Sequence, residues 1–396
     1  MKSLLAHILY FAFSLSSQAE LLTGIDILEK NNFDILKGRR VGLIINHTSL
    51  DRNGRSDVDV MIDAGVDIRA IFSPEHGFMG NEKAGADVLD SSYRGISIYS
   101  LYGKNKRPDD KMLENIDTLV FDIQDVGARF YTYLTTMGYA MEEAAKKKIR
   151  FIVLDRPNPI SSSIMEGPVL DDDIKAFTAY FAVPVRHSLT AGEMAIFHKI
   201  KSNIDLELYV VRMEGYKRDM FFDETSIKWV NPSPNIRNLN TAILYPGIGC
   251  FEATNISVGR GTDIPFEFFG SPWLDNSRIS DELNKRKLKG VEFKPCYRVP
   301  SEDLYAGEVV NGVCIKVTDK RKVRAFDIFV NAIYLINAFY PDKLVIRERE
   351  ITLMTGSKDF YLLLKNGATP KQIVRRYNKA LKDFKKYLKK NNIKLY

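Results

Sequence analysis

Between residues 39 and 160, short continuous runs of Val, Ile, Leu and Phe alternate with stretches whose apolar residues recur at helical spacing. The runs are "VGLIIN" (41–46), "IRAIFS" (68–73), "ISIYSLYG" (96–103), "TLVFDIQ" (118–124) and "IRFIVLD" (149–155). Between them lie "SDVDVMIDAG", "DDKMLENI" and "YLTTMGYAMEEAAKKK", which read as helices. A strand that is apolar on both faces needs cover on both faces, and helices between such strands supply it as crossovers of a parallel sheet. The pattern predicts a doubly wound α/β domain.

The pattern continues with "LTAGEMAIFHKIK", opened by a capping box from Thr190 to Glu193, and with the strand-like "LELYVVRM". From Asn231 to Gly270 the character changes to "NPSPN", "YPGIGCFEATN" and "VGRGTDIPFEFFG", whose Gly, Pro and Asn content reads as loops and short strands. A length of 396 residues with 45% hydrophobic content accommodates about two domains. The boundary is placed at residue 230, giving an α/β domain over 20–230 and a smaller α+β domain over 231–396.

Residues 1–19 have one Lys, an apolar run from Leu4 to Leu15, and a small-x-small site at Ser17-Gln18-Ala19. That is the layout of a secretory signal peptide cut before Glu20, and the run falls short of the ~20 apolar residues a membrane span needs. An exported protein follows, with no membrane span after cleavage. Cys250, Cys296 and Cys314 match no metal motif; two of them could pair, and their spacing does not say which. The formal charge of +7 is local: from Lys371 onward ten Lys or Arg face the single acid Asp383, leaving the rest of the chain near neutral. In that tail Ile373, Tyr377, Leu381, Phe384 and Leu388 form an apolar stripe, so it reads as an amphipathic helix with a basic outer face. An exported chain without a nucleic-acid-binding module has no expected nucleic-acid partner.

A parallel sheet binds ligands at the carboxyl ends of its strands, and polar residues collect at those ends. The first strand runs into Asn46-His47-Thr48, and the second into "SPEHG" with Glu75 and His76. The next delivers Asp122, Gln124, Asp125, Arg129, Tyr131 and Tyr133, and the last delivers Asp155, Arg156 and Asn158. No G-x-G-x-x-G follows the first strand, and neither a P-loop nor a G-x-S-x-G elbow is present. "FDIQD" resembles the two-Asp motif of aspartyl-phosphate phosphatases, but Gln124 stands where the second acid belongs. Glycosidic cleavage fits better. It needs a carboxylic acid to protonate the leaving oxygen and a second group to assist at the anomeric centre. Glu75 follows a buried strand beside Pro74, which restricts the backbone, and is the expected acid; His76 tunes it or contacts the substrate.

"SPEHGFMG", "DTLVFDIQDVGARFYTY", "VLDRPNPI", "EGPVL", "VPVRH", "TAGEMA", "WVNPSPN" and "YPGIGCFEATNISVGRGTDIPFEFFGSPW" together resemble the exo-β-N-acetylmuramidases of the NamZ type, in order, from about residue 39 to the end. Ser188 stands where that family usually has Gly, and "KAFTAY" departs from the usual stretch. The resemblance implies an exported or periplasmic glycoside hydrolase removing N-acetylmuramic acid from the non-reducing end of peptidoglycan fragments. It also implies a Rossmann-like domain, a smaller C-terminal domain, and an active-site cleft between them. Glu75 falls on the expected catalytic acid, with Asp122, Asp125 and Glu166 as candidates to assist. No metal or organic cofactor is expected.

The lactyl carboxylate of such a sugar calls for a guanidinium, for which Arg129, Arg156 and Arg260 are candidates. Tyr131, Tyr133 and Phe251 could stack on a sugar face. Asn46, Gln124, Asn158, His187, Asn231, Ser233, Asn235 and Asn255 complete the expected substrate contacts. Two other readings stay open at this point: a non-catalytic binder of wall fragments, and a metal-dependent phosphohydrolase built on "FDIQD".

Overall fold

In the computed structural model, which describes residues 20–396 apart from 84, 87 and 88, the apolar runs form one seven-stranded sheet. The expected signal segment lies outside the described residues. The chain enters through α1 (Gly24–Lys30), β1 (Arg40–Ile45), α2 (Asp57–Asp63) and β2 (Asp67–Ser73). It continues through β3 (Ser91–Tyr93), β4 (Ile96–Ser100), β5 (Thr118–Asp122), α3 (Tyr133–Lys147) and β6 (Arg150–Leu154). A small hairpin of β7 (Glu166–Val169) and β8 (Pro184–Arg186) precedes α4 (Ala191–Lys201) and β9 (Leu208–Val211).

The sheet order is β3-β4-β2-β1-β5-β6-β9, parallel throughout except for the β3–β4 hairpin. Counting only the parallel strands, this is the 3-2-1-4-5-6 order of the doubly wound fold, with its switch point between β1 and β5. Each strand sends alternate residues to opposite faces. Leu43, Ile71, Val120 and Ile152 meet α1 and α2 residues such as Leu28 and Met61 on one face. Ile44, Phe72, Phe121 and Phe151 meet α3 and α4 residues such as Met137 and Met194 on the other. Both faces are therefore buried, which is why the strands read as continuous apolar runs. "DDKMLENI" is a series of turns rather than a helix: its eight residues include four charged side chains and present only Met112, Leu113 and Ile116 to the core.

The rest of the chain comprises α5 (Leu239–Ile248), β10 (Phe268–Ser271), α6 (Asn276–Lys285), β11 (Val291–Arg298), β12 (Val310–Val317), α7 (Ala325–Phe339), α8 (Glu348–Thr355), α9 (Asp359–Lys365) and α10 (Pro370–Lys390). β10, β12 and β11 form an antiparallel sheet, and Cys296 of β11 is disulfide-bonded to Cys314 of β12, leaving Cys250 buried and free. The "YPGIGC" segment, expected as loop, is helical through Pro246. Burial overrides the local signal here, since Ala242, Ile243, Leu244 and Ile248 all enter the core. Gly247 permits the contact with α7, because a Cβ there would lie 1.8 Å from the Ala325 carbonyl oxygen.

The basic tail is helical and four of the five stripe residues face the core, while Leu381 stays partly exposed. Ile373, Tyr377, Phe384 and Leu388 are buried, and Phe384 packs edge-on against Phe197 of α4. The core formed by α3 and α4 runs without a break into that of α5, α7 and α10, so the two lobes share one apolar interior. The terminal Tyr396 ties the strap down through its hydroxyl, which donates to Asp155 at 2.7 Å and accepts from the Met213 N–H at 3.0 Å.

Asp327, in the first turn of α7, is half-buried, and its carboxyl is pushed up to about 7 by burial and then by the nearby Glu166 charge, against the opposing pull of Arg324. Between its unfolded value near 4 and about 7, the native state holds a proton that the unfolded chain has released. This contribution to stability is full at low pH and is lost as pH rises through about 7. Asp327→Asn should therefore match the wild type in urea unfolding at pH 4 and exceed it by on the order of 2 kcal/mol at pH 8. Equal stabilities at pH 8 would contradict this assignment.

Candidate active site

β2 ends at Ser73, and Pro74 begins a turn in which His76 (φ 70°) and Gly77 (φ 75°) are both left-handed. Gly77 takes that conformation freely, whereas a non-glycine residue there is strained and must be held by its surroundings. His76 is held twice: its Nδ1 lies 2.7 Å from the Glu82 carbonyl oxygen, and its own carbonyl accepts from the Glu82 N–H at 3.2 Å. A carbonyl only accepts, so Nδ1 carries the hydrogen and Nε2 keeps the lone pair in the neutral ring. The ring is buried, edge-on to Tyr133.

The strained turn presents Glu75, which is part-buried. One carboxylate oxygen accepts from the Thr132 hydroxyl at 2.5 Å and the other from the Gly85 N–H at 3.2 Å. A hydroxyl can donate to a carboxylate or accept from a carboxylic acid, so Thr132 orients Glu75 in either state. Thr132 is the residue that starts α3, which joins the Glu75 turn to the next strand's exit.

Glu75 and His76 line one wall of a hollow of about 60 Å³ between the lobes, with Phe130, Tyr131 and Thr132 beside them. Ser233, Asn235, Ile236, Tyr245, Arg260 and Phe266 line the other wall. Such a volume holds about two waters, so it suits the reacting atoms of a substrate whose bulk lies at the open rim. Arg260 is the one guanidinium in this lining. Its Nε bonds Glu252 at 2.6 Å, its plane lies over Phe266, and no hydrogen bond within the described residues engages its Nη atoms. Gly259 and Gly261, both left-handed, shape the loop that carries it.

The other expected residues are distributed differently. Asp125 is buried, its Oδ2 accepting from the Gly127 N–H at 2.7 Å and facing His187 Nε2 at 3.3 Å, while its Oδ1 has no partner among the described residues. The Tyr133 phenol is pushed up by burial, with smaller contributions from the charges of Glu75 and Asp125; Asp125 itself does not line the hollow. Tyr133 itself donates to the Pro232 carbonyl at 2.6 Å and stacks edge-on with Tyr131. Asn46 is buried and accepts from Thr48, while the Asn231 carbonyl lies 2.7 Å from His47 Nε2.

Several candidates are occupied elsewhere. Asp122 is fully buried and both of its oxygens are held by the Arg156 guanidinium. Arg156 and Gln124 instead border a second hollow, of about 420 Å³, at the rim beside Thr48 and Asp51. Glu166 bonds the fully buried Arg186 at 2.6 Å and accepts from the Phe326 N–H at 3.2 Å. The Arg129 guanidinium reaches the carbonyls of Leu353 and Met354 at 3.2 and 2.8 Å, at the carboxyl end of α8, where the helix dipole favours a cation. Asn158 bridges Ile160 and Leu189, and Asn255 bonds Lys343 and Val345. Phe251 is packed in the core between Phe269 and Phe329.

Thr132, Tyr245 and Phe266 were not singled out from sequence. Thr132 sits within "RFYTYL", where the expected contacts are Arg129, Tyr131 and Tyr133, and Tyr245 lies in the segment expected as loop. Ser188, where the family it resembles usually has Gly, has φ 60° and is fully buried, a left-handed conformation that glycine takes more freely.

Comparison with known proteins agrees with the resemblance. The profile described as exo-β-N-acetylmuramidase NamZ, N-terminal, matches residues 41–240, and its C-terminal counterpart matches residues 243–396. A protein of Bacillus subtilis (strain 168) described as peptidoglycan β-N-acetylmuramidase NamZ is 39% identical over 373 residues, covering 93% of this chain and 90% of the relative. Two crystal structures of DUF1343 family proteins from Bacteroides fragilis share the fold. One superposes with a TM-score of 0.89 at 35% identity, over 95% of this chain and 99% of the other. The second gives 0.78 at 27% identity, over 96% and 99%.

Proposed function

Because the chain belongs to the exo-β-N-acetylmuramidase NamZ family, we infer that it is a glycoside hydrolase that releases N-acetylmuramic acid from the non-reducing end of peptidoglycan fragments. The observation that carries the reading is Glu75, fixed by Thr132 and Gly85 at the wall of the interlobe hollow, opposite Arg260. Glu75 donates its proton to the glycosidic oxygen as the bond to the leaving sugar breaks. Positive charge then develops at the anomeric carbon. Asp122 and Glu166 are each bound to a buried guanidinium and are not free to meet it, whereas Asp125 keeps one unpartnered oxygen. Asp125 is therefore the carboxylate assigned to assist, by stabilising that centre or by orienting the substrate's own 2-acetamido group toward it.

The same geometry disfavours phosphoryl transfer through "FDIQD", since its leading Asp122 is enclosed by Arg156. Export, proposed from the N-terminal segment, is supported by the Cys296–Cys314 disulfide, which suits an oxidising compartment.

Turnover of a chromogenic N-acetylmuramide tests the reading: an enzyme releases the chromophore catalytically, while a binder retains the sugar unhydrolysed. Arg260 is assigned to the lactyl carboxylate, the feature that distinguishes N-acetylmuramic acid from N-acetylglucosamine. Arg260→Met should lower kcat/KM for the muramide about 10- to 100-fold, in the range of one charge-assisted pair, mostly through KM. Whatever turnover the wild type shows on the matching glucosaminide should stay unchanged. An equal loss on both sugars would remove Arg260 from that role.

A further inference from the structure

The C-terminal lobe carries a concave basic surface remote from Glu75. Two adjoining grooves, of about 680 and 500 Å³, share Leu288 and Asp327. Their rims come from the loop after α6 (286–289), the loop before α7 (321–324) and the first turns of α10. Lys287, Lys289, Arg324, Lys371 and Arg375 line them, all exposed, and none forms an ion pair within the described residues. Other exposed cations of this chain commonly do find acids: Arg321 pairs with Glu224, Lys322 with Asp319 and Arg376 with Asp359. The acid in the lining is Asp327, which sits low against the core.

The groove opens onto the outer face of α10. Lys379, Lys382, Lys385 and Lys389 continue from Lys371 and Arg375 on one side of that helix, and none of them pairs with an acid among the described residues. At 1.5 Å rise per residue, successive cations stand about 5–6 Å apart over roughly 30 Å. A compact anion would engage one end of this tract; a linear polymer bearing regularly spaced negative groups would engage all of it.

Ile373, Tyr377, Phe384 and Leu388 of α10 are buried in the molecule, and the outer face that remains is dominated by Lys and Arg, with Leu381 only half-exposed, so it offers little apolar surface to insert into lipid. An interfacial helix needs an exposed apolar face beside its basic one. The observations thus favour a hydrated polyanion over a membrane surface.

We propose that this basic tract is a docking surface for peptidoglycan strands, binding the carboxylates of the polymer while the interlobe hollow works on a chain end. The partner's identity rests on the muramidase reading; the existence of a polyanion site does not. Docking of this kind raises the local concentration of ends without altering chemistry at Glu75.

The test is co-sedimentation of the protein with purified sacculi stripped of secondary polymers. The wild type should pellet at low salt and be released by about 0.3 M salt, where the Debye length falls to a few ångström. The Lys287→Gln/Lys289→Gln/Lys371→Gln/Arg375→Gln variant should bind at least about tenfold more weakly, and sacculi whose carboxylates are amidated should lose the wild type as well. Its hydrolysis of the small chromogenic muramide should be unchanged, which also shows that it is folded. Equal pelleting by variant and wild type, or retention on amidated sacculi, would overturn the proposal. So would binding to anionic phospholipid vesicles in preference to sacculi. If sacculi bind as described while the wild type never cleaves the muramide, the muramidase reading fails and the docking surface stands.

Discussion

Glu75→Gln is expected to fold normally and to lose about 10²- to 10⁴-fold in kcat on a muramic-acid-terminated disaccharide, the range that general acid catalysis contributes. Glutamine has the shape of the acid but carries no transferable proton. Its amide can still accept from or donate to the Thr132 hydroxyl, which is 2.5 Å from the carboxylate in the native chain, so the side chain should stay in place. The Gly85 N–H, at 3.2 Å, supplies the longer of the two bonds and is the one an amide nitrogen would weaken. The loss should depend on the leaving group. A sugar hydroxyl departs poorly without protonation, whereas a nitrophenolate departs unaided, so the defect should shrink on an activated aryl muramide. A loss of equal size on both substrates would point to Glu75 as a nucleophile or a binding group instead of an acid. Turnover near wild type on the disaccharide would remove it from the chemistry.

The second large effect concerns stability. Glu166→Ala leaves Arg186, which is fully buried, without its carboxylate and leaves the Phe326 N–H at the start of α7 without an acceptor. Burial holds the Arg186 guanidinium below its usual range, and Glu166 is what opposes that shift. Breaking such a pair from one side exposes the remaining ion to the full desolvation penalty, about 3–5 kcal/mol. Urea unfolding should register a loss of that size. The double variant Glu166→Ala/Arg186→Met should recover much of it, because the uncompensated charge is gone. The folded fraction of Glu166→Ala should retain its kcat. If kcat collapsed while stability stayed constant, Glu166 would belong to the reaction rather than to the joint between the lobes.

The sheet was legible because strands buried on both faces are written as uninterrupted Val, Ile, Leu and Phe. β5 is buried along its whole length and was the plainest of them. The strand order was not legible residue by residue, since it depends on which edge each crossover reaches. The helix through Pro246 was hidden because its Pro and Gly argue locally for loop, while the gain comes from the distant α7.

At the site, a catalytic candidate could be read from position alone: Glu75 lies two residues past the end of a strand with a buried C-terminal half and follows a Pro. The arginines could not. Arg129 bonds carbonyls 224 and 225 positions away, and Arg156 closes on an Asp 34 positions earlier. Such partners are chosen by the fold, so sequence offered three guanidinium candidates without ranking them. Arg260 alone of the three lines the hollow with Glu75. Thr132 was missed for a related reason: its role exists only once the Glu75 turn folds against the start of α3.

The most direct test of the central claim is to incubate the protein from Glu20 onward with a disaccharide bearing N-acetylmuramic acid at its non-reducing end, and to follow the products by NMR from the first turnover. The account predicts release of free N-acetylmuramic acid in one defined anomeric configuration, slowed about 10²- to 10⁴-fold by Glu75→Gln. An intact disaccharide after prolonged incubation with correctly folded wild-type protein would contradict it.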